Sequence, residues 1–469
     1  MGSVHASGCM RRLTIVIACI CALTACLPAG AEGATRWTLR GAGWGHGIGM
    51  SQFGAYGYAR HGFNYRDILT HYYSGTRIER RSPTLVRVLL QANRSSVTFT
   101  GATRAGERRL KEKSVYRATR SGPNVVLRSS SGRMLQTFAD VIPVTGEETV
   151  RLLGKAGNGV TNGYYRGEID VRTAAGSGLN AINTLGIENY VQGVVPAESP
   201  PIWPLQALAA QAVAARTYSL ATSVNGKGFD QYPDTRSQVY RGYSGETAST
   251  NNAVAATRGE VVTYNVNIVV TFFFSTSGGF TENVENVFAG SDPRPWLKGV
   301  EDPYDNASPY HRWGPYTLSS RSLRAKLGSY LKGSFRGIKV IKRGVSPRVV
   351  RAQVKGSRGT VTVSGAQLRG RLGLRDSWFY LRRVRTDTSG ARARTETGTR
   401  SLTQISGEVE DAKARFVKLQ RKNNGRWVHV ADVPLFGAGD VRDYSYHVGR
   451  AGLYRVRAGW APGPPVAAK

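Results

Sequence analysis

Val191-Gln-Gly-Val-Val-Pro-Ala-Glu198-Ser-Pro-Pro-Ile-Trp-Pro-Leu-Gln-Ala-Leu-Ala-Ala-Gln211-Ala-Val-Ala-Ala-Arg216-Thr-Tyr218 sets one carboxylate just ahead of an alanine-rich run. Proline suits a helix start and alanine propagates it, so a helix is expected over Pro204 to Ser223. Leu205, Leu208, Ala212 and Ala215 recur at helical spacing and predict one small, apolar face. Gln211 and Arg216 interrupt that chemistry. Buried polar groups need partners, so both are expected to hydrogen-bond toward Glu198, the alternative being a solvent-facing side. Glu198 itself stands among Val194, Val195, Pro196, Ala197, Pro200, Pro201, Ile202 and Trp203. Such surroundings disfavour the charged carboxylate and raise its pKa, leaving a proton to donate to a leaving-group oxygen. A helix-capping role is the plainer reading, but Pro200 and Pro201 separate Glu198 from the helix.

Outward from this stretch the chain reads as α+β and strand-rich. Val86-Arg-Val-Leu-Leu, Val97-Thr-Phe-Thr, Val125-Val-Leu-Arg and Tyr165 to Val171 alternate with a period of two between Gly, Ser and Asn breaks, which predicts antiparallel strands within residues 80–170. Glu260 to Tyr264 and Ile268 to Phe274 predict two more, the second running into Ser275-Thr-Ser-Gly-Gly279. Residues 386–401 are polar, rich in Thr, Ser, Gly and Arg, and predict a linker. Regular alternation beyond it predicts a small β-sandwich over 402–469. Its Trp427, Tyr444, Tyr446, Tyr454 and Trp460 are either core or a platform for wall polymer.

Arg11-Arg12, the apolar stretch Leu13 to Leu27 and Ala29-Gly-Ala31 read as a secretion signal over residues 1–31, too short to span a bilayer comfortably. All four cysteines, Cys9, Cys19, Cys21 and Cys26, fall inside it. The exported part therefore has neither disulfides nor thiolate metal sites. Leu23-Thr-Ala-Cys26 resembles a lipoprotein box, which gives anchoring through Cys26 as the alternative to secretion. The formal net charge of +33 calls for an anionic surrounding. Nucleic acid is disfavoured by the leader and by arginines scattered without a binding motif; anionic wall polymers fit an exported cation.

Several segments together resemble the SpoIID/LytB family of bacterial cell-wall proteins. They are Gly163-Tyr-Tyr-Arg-Gly167, Glu188 to Glu198, Trp203 to Tyr218, Asp234-Thr-Arg-Ser-Gln-Val-Tyr240, Phe274 to Asn283, Val363 to Leu374, Gly45-His-Gly-Ile-Gly-Met-Ser-Gln-Phe-Gly-Ala55 and Tyr65 to Gly75. The resemblance runs over roughly residues 37–385 and implies one catalytic domain across 32–385. It implies lytic transglycosylase chemistry on peptidoglycan glycan strands, with Glu198 as the catalytic acid and then base, and no cofactor. It also offers a second role, that of a wall-binding protein or enhancer of a wall amidase. His46, Ser51, Gln52, Gln211, Arg216, Tyr218, Gln238, Tyr240, Ser275 and Ser277 are the substrate-binding candidates.

Two departures matter. The Gly-His-Gly motif, which commonly closes the family's domain, stands here near the start, as a circular permutation would leave it. The arm 37–76 is then expected to fold back and bring His46 near Glu198. Ser237 occupies a position where some relatives carry a zinc-associated cysteine, so no thiolate-bound metal is expected. Gly43, Gly45, Gly47 and Gly49 recur every second residue without a βαβ unit, which argues against dinucleotide binding and for either a sugar-contacting backbone or a tight structural loop. His61 and His71 are expected to be packing residues.

Overall fold

The computed structural model describes residues 34–395, 398–410 and 414–468. The expected leader, with Cys26, lies outside them. The chain divides into a larger unit, Arg36–Arg383, and a smaller one that includes Val384–Lys469. Among the described residues no helix is long and apolar enough to cross a membrane.

The larger unit is built on a ten-stranded sheet. Its strands alternate as the sequence does: Tyr165, Ile169 and Val171 point inward from Tyr164–Thr173, and Val86, Val88 and Leu90 from Leu85–Arg94. The strand Leu179–Gly186 pairs with both of these neighbours and runs directly into helix α1 as the chain enters the site region, a helix spanning Ile187–Glu198. Pro196 cannot donate a backbone hydrogen bond, and the helix ends two residues later at Glu198. Ser199 is extended, and Pro200 begins the turn to the next helix, α2, Leu205–Ala221. Gly193 permits the close packing of α1, since a Cβ there would lie 2.5 Å from the Tyr240 ring.

The α2 helix departs from the expected one-faced pattern. Every residue from 207 to 217 is buried, whereas Leu205 is exposed. Leu208, Ala212 and Ala215 join the core beneath the sheet, while Ala210, Val213 and Ala214 join a second core. That second core is supplied largely by the N-terminal arm, through Ala55 and Tyr58 of the helix Gln52–Arg60 and Ile68, Leu69 and Tyr72 of the helix Tyr65–Tyr72. Alanine suits a helix packed on both sides because it lets backbones approach closely. A helix apolar all round is a core helix.

The arm is stitched in by backbone pairing. Met50–Ser51 lies parallel to Phe273–Phe274, and Trp44 bridges Thr276. The run Ile268 to Phe274 is therefore not one strand: only Asn267–Ile268 and Phe273–Phe274 pair, each with a different partner.

In the smaller unit, residues expected as linker are strand. Phe379–Thr395 and Gly398–Glu410 form a long antiparallel hairpin, in register from Val384↔Val409 to Thr395↔Gly398. Its threonines are compatible with a pleated surface, and cross-strand pairing is invisible to composition. Val441–Val448 extends this sheet, while Phe416–Asn423, Arg426–Pro434 and Gly452–Ala458 belong to another. One core draws on both, and Tyr444 and Tyr454 are buried in it, so neither is a platform for a sugar.

Candidate active site

Glu198 lines a cavity of about 450 Å³ together with Trp44, His46, Gln52, Tyr218 and Ser275. It is the one carboxylate among the described residues lining that cavity. Three features fix it. The Val239 backbone N–H donates to its Oε1 at 2.8 Å, and Gln52 Nε2 approaches its Oε2 at 3.4 Å and its backbone carbonyl at 3.1 Å. Burial raises its pKa, and this outweighs the Val239 and Gln52 hydrogen bonds and the charge of Arg241, which act the other way. Its place at the C-terminal end of α1 works in the same direction, because a helix dipole disfavours negative charge there. Oε1 thus has the shorter, backbone donor, and Oε2 only the longer Gln52 contact.

The apolar surroundings differ from those adjacent in sequence. Ile202 is 92% exposed, and Val194 and Val195 are turned into the sheet core. Water is displaced instead by Phe272, Phe273, Phe274, Phe288 and Trp44, all brought from elsewhere in the chain.

His46 shares the cavity but does not do acid–base work. Its Nδ1 accepts the Ile48 N–H at 3.0 Å, which leaves Nε2 to donate to the Phe273 carbonyl at 3.1 Å. Burial, followed by the charge of Arg369, pushes its pKa down to about 3. The ring is neutral and clamps the glycine loop to Phe273, packed among Phe272, Phe274 and Phe288. Gly45, at φ +134°, lies so close to Phe274 that a Cβ would meet that side chain at 2.7 Å.

The remaining candidates separate by burial. Tyr218 lines the cavity, its ring edge-on to Phe272 and Phe273. Gln211 lies behind the cavity, accepting from Gln52 Nε2 at 3.4 Å. Ser51, Ser277, Gln238, Tyr240 and Arg216 are each buried in hydrogen bonds inside the protein. Ser51 caps the helix Gln52–Arg60 through Gly54 N and receives the Ser277 N–H. Ser277 donates to Asp305. Gln238 bonds to Tyr190 and the Ala215 carbonyl, and Tyr240 donates to Asn183 at 2.7 Å within the core. Arg216 is turned away from Glu198 and chelates Glu188 at 3.0 and 2.7 Å. It also reaches the Glu260 and Val254 carbonyls.

Thr235, Arg236, Ser237 and Trp44 also line the cavity, and none of them is among the sequence candidates for substrate contact. Asp234 to Ser237 make a turn closed by the Ser237 N–H on the Asp234 carbonyl, and Thr235, Arg236 and Ser237 all line the cavity, while the Gln238 and Tyr240 side chains beyond it go inward. Trp44 had a signal: it stands between two turning glycines, is 39% exposed, and is braced by Tyr310 and Arg375. His61 stacks on Tyr304, and His71 bonds to Tyr58 and the Glu301 carbonyl.

Residues 175–264 match the family described as stage II sporulation protein, and the chain carries a domain of the SpoIID/LytB family. It is 31% identical over 220 residues to stage II sporulation protein D of Bacillus subtilis, covering 43% of this chain and 62% of that protein. It is 40% identical over 137 residues to the amidase enhancer of the same organism, covering 29% of this chain and 18% of that one. An uncharacterised protein of Brachyspira hyodysenteriae is 40% identical over 154 residues, covering 32% of this chain and 40% of its own length. The chain thus spans less than two thirds of these curated relatives. No solved structure matches it.

Proposed function

We propose that the protein is an exported lytic transglycosylase that cleaves peptidoglycan glycan strands, with Glu198 as acid and then base. The observation that carries this reading is a single carboxylate, with a raised pKa, in a cavity otherwise lined by aromatic and neutral polar groups and one arginine. Hydrolysis of a β-glycoside ordinarily uses two carboxylates, one to donate a proton and one to attack or activate water. A lone carboxyl suffices when the nucleophile is the sugar's own C6 hydroxyl, already held at high effective concentration. Neutral Glu198 protonates the departing glycosidic oxygen. The resulting carboxylate accepts the proton of the C6 hydroxyl as that oxygen bonds to C1, giving a 1,6-anhydromuramyl end. Gln52 and the Val239 N–H hold the carboxyl in place, and His46 holds the loop beside it.

The arm 37–76 is read as the family's closing motif in permuted position, which its packing beside Glu198 supports. Export, by secretion or by anchoring through Cys26, follows from the leader, and the net charge suits anionic wall polymers.

The second reading, a wall-binding protein that enhances an amidase, is favoured by the similarity to the amidase enhancer. Incubation with peptide-free glycan strands, with products resolved by mass spectrometry, separates the two. The enzyme reading expects anhydro ends from the native protein and none from Glu198→Gln. Binding without anhydro product would favour the enhancer role.

A further inference from the structure

A second cavity, of about 610 Å³, adjoins the one that holds Glu198. Phe272 lines both. The segment from Phe288 to Trp296 also borders both, with Phe288 in the first cavity and Ser291, Asp292, Arg294 and Trp296 in the second. The two are neighbours across one shared wall.

The second cavity has an aliphatic floor that includes Ile268, Val269, Val284 and Leu297, with the rings of Tyr264, Phe272 and Trp296 and the carboxamides of Asn265 and Asn267 set into it. The Trp296 and Tyr264 rings lie 5.3 Å apart, and the Trp296 indole N–H is held by the Val270 carbonyl at 3.1 Å, which fixes the ring. Asn265 and Val266 take positive φ values of 47° and 62°, making the tight turn that brings Asn265 and Asn267 to the cavity. Asp292 and Arg294 offset each other in charge. Fixed rings offer surface to the C–H faces of a pyranose, and carboxamides offer both donors and acceptors to hydroxyl and N-acetyl groups. The volume falls within the range of about 300–1,000 Å³ usual for ligand sites.

We propose that this cavity is a distal saccharide subsite, which binds sugars of the same glycan strand some residues away from the bond cleaved beside Glu198. What reaches the cavity rests on the transglycosylase reading; that it binds saccharide does not. A stem peptide is the competing occupant; the three rings and two carboxamides, with no unbalanced charge to meet a peptide's carboxylates or amine, favour the sugar.

The test uses the full chain carrying Glu198→Gln, titrated calorimetrically with peptide-free glycan fragments of increasing length, while the native chain cleaves the same series. Affinity is expected to rise by about tenfold, or about 1.4 kcal/mol, once the fragment is long enough to reach the second cavity. Ser291→Trp, which fills the cavity from a surface loop, and Trp296→Ala should each abolish that gain and leave the shortest cleavable fragment unaffected. Should Trp296→Ala fail to fold, Ser291→Trp decides. Length-independent affinity, or a gain that survives Ser291→Trp, overturns the subsite, as does a gain seen only when stem peptides are attached. Length-dependent binding that needs the cavity, with no cleavage of any fragment, supports the subsite while removing the enzymatic reading.

Discussion

Replacing Arg216 by methionine separates a structural role from a catalytic one. The guanidinium is 1% exposed and donates to both oxygens of Glu188 and to the Glu260 and Val254 carbonyls. Methionine preserves much of the volume, so the loss is electrostatic. Glu188 would keep the Gly259 N–H at 3.0 Å, with its side chain 13% exposed. Removing one partner of a buried pair costs about 3–5 kcal/mol because the other charge is left uncompensated. The partial exposure of Glu188, and the cavity of about 230 Å³ beside it that admits water, place the expected loss near the lower end, about 3 kcal/mol. Urea unfolding followed by tryptophan fluorescence measures it. Glu188→Gln added to Arg216→Met should recover a large part, since the stranded charge is then gone. At temperatures where it remains folded, Arg216→Met should cleave glycan strands at the native rate. A loss below about 1 kcal/mol, or a stable variant without cleavage, would refute this assignment and return Arg216 to the site.

The raised pKa of Glu198 sets a pH dependence. Cleavage should fall as pH rises through its folded-state value, with that alkaline limb above the 4.5 of an ordinary glutamate, as a kcat/KM profile would show. Linkage has the same sign: neutral Glu198 suits the folded state below the unfolded pKa, and that advantage is lost as pH rises through the folded one. Glu198→Gln should therefore melt higher than the native protein at pH 8, with the difference vanishing near pH 4; a constant difference would contradict burial as the cause. His46→Ala removes two hydrogen bonds and should destabilise the loop by about 1–3 kcal/mol and slow cleavage, without moving the alkaline limb of the pH profile. A displaced limb would show that His46 titrates in the reaction.

The legible parts of the fold were those governed by short-range periodicity. The strands about Val86, Val97, Val125 and Tyr165 and the helix after Pro204 follow from alternation and alanine content. Glu198 was legible as a desolvated carboxyl, but the groups that desolvate it were not: Phe272, Phe273 and Phe274 reach it through a parallel pairing with Met50–Ser51, more than 200 residues away in sequence. The same long-range closure sets the turn Asp234 to Ser237 against the cavity, so that Thr235, Arg236 and Ser237 line it while Gln238 turns to the Ala215 carbonyl. Arg216 was misplaced because a buried arginine needs a carboxylate, and the sequence offered Glu188 as well as Glu198. The hairpin through Thr395 and Gly398 read as linker because its stability lies in pairing between polar strands, not in composition.

The central claim is that one carboxyl moves a single proton out and back while the sugar attacks itself. Cleavage of peptide-free strands in water enriched in oxygen-18, with new ends weighed by mass spectrometry, tests it most directly. Anhydro ends carrying no heavy oxygen are predicted. Reducing ends that incorporate one oxygen-18 per cleavage would show that water is the nucleophile, and a second activating group would then have to exist in the cavity.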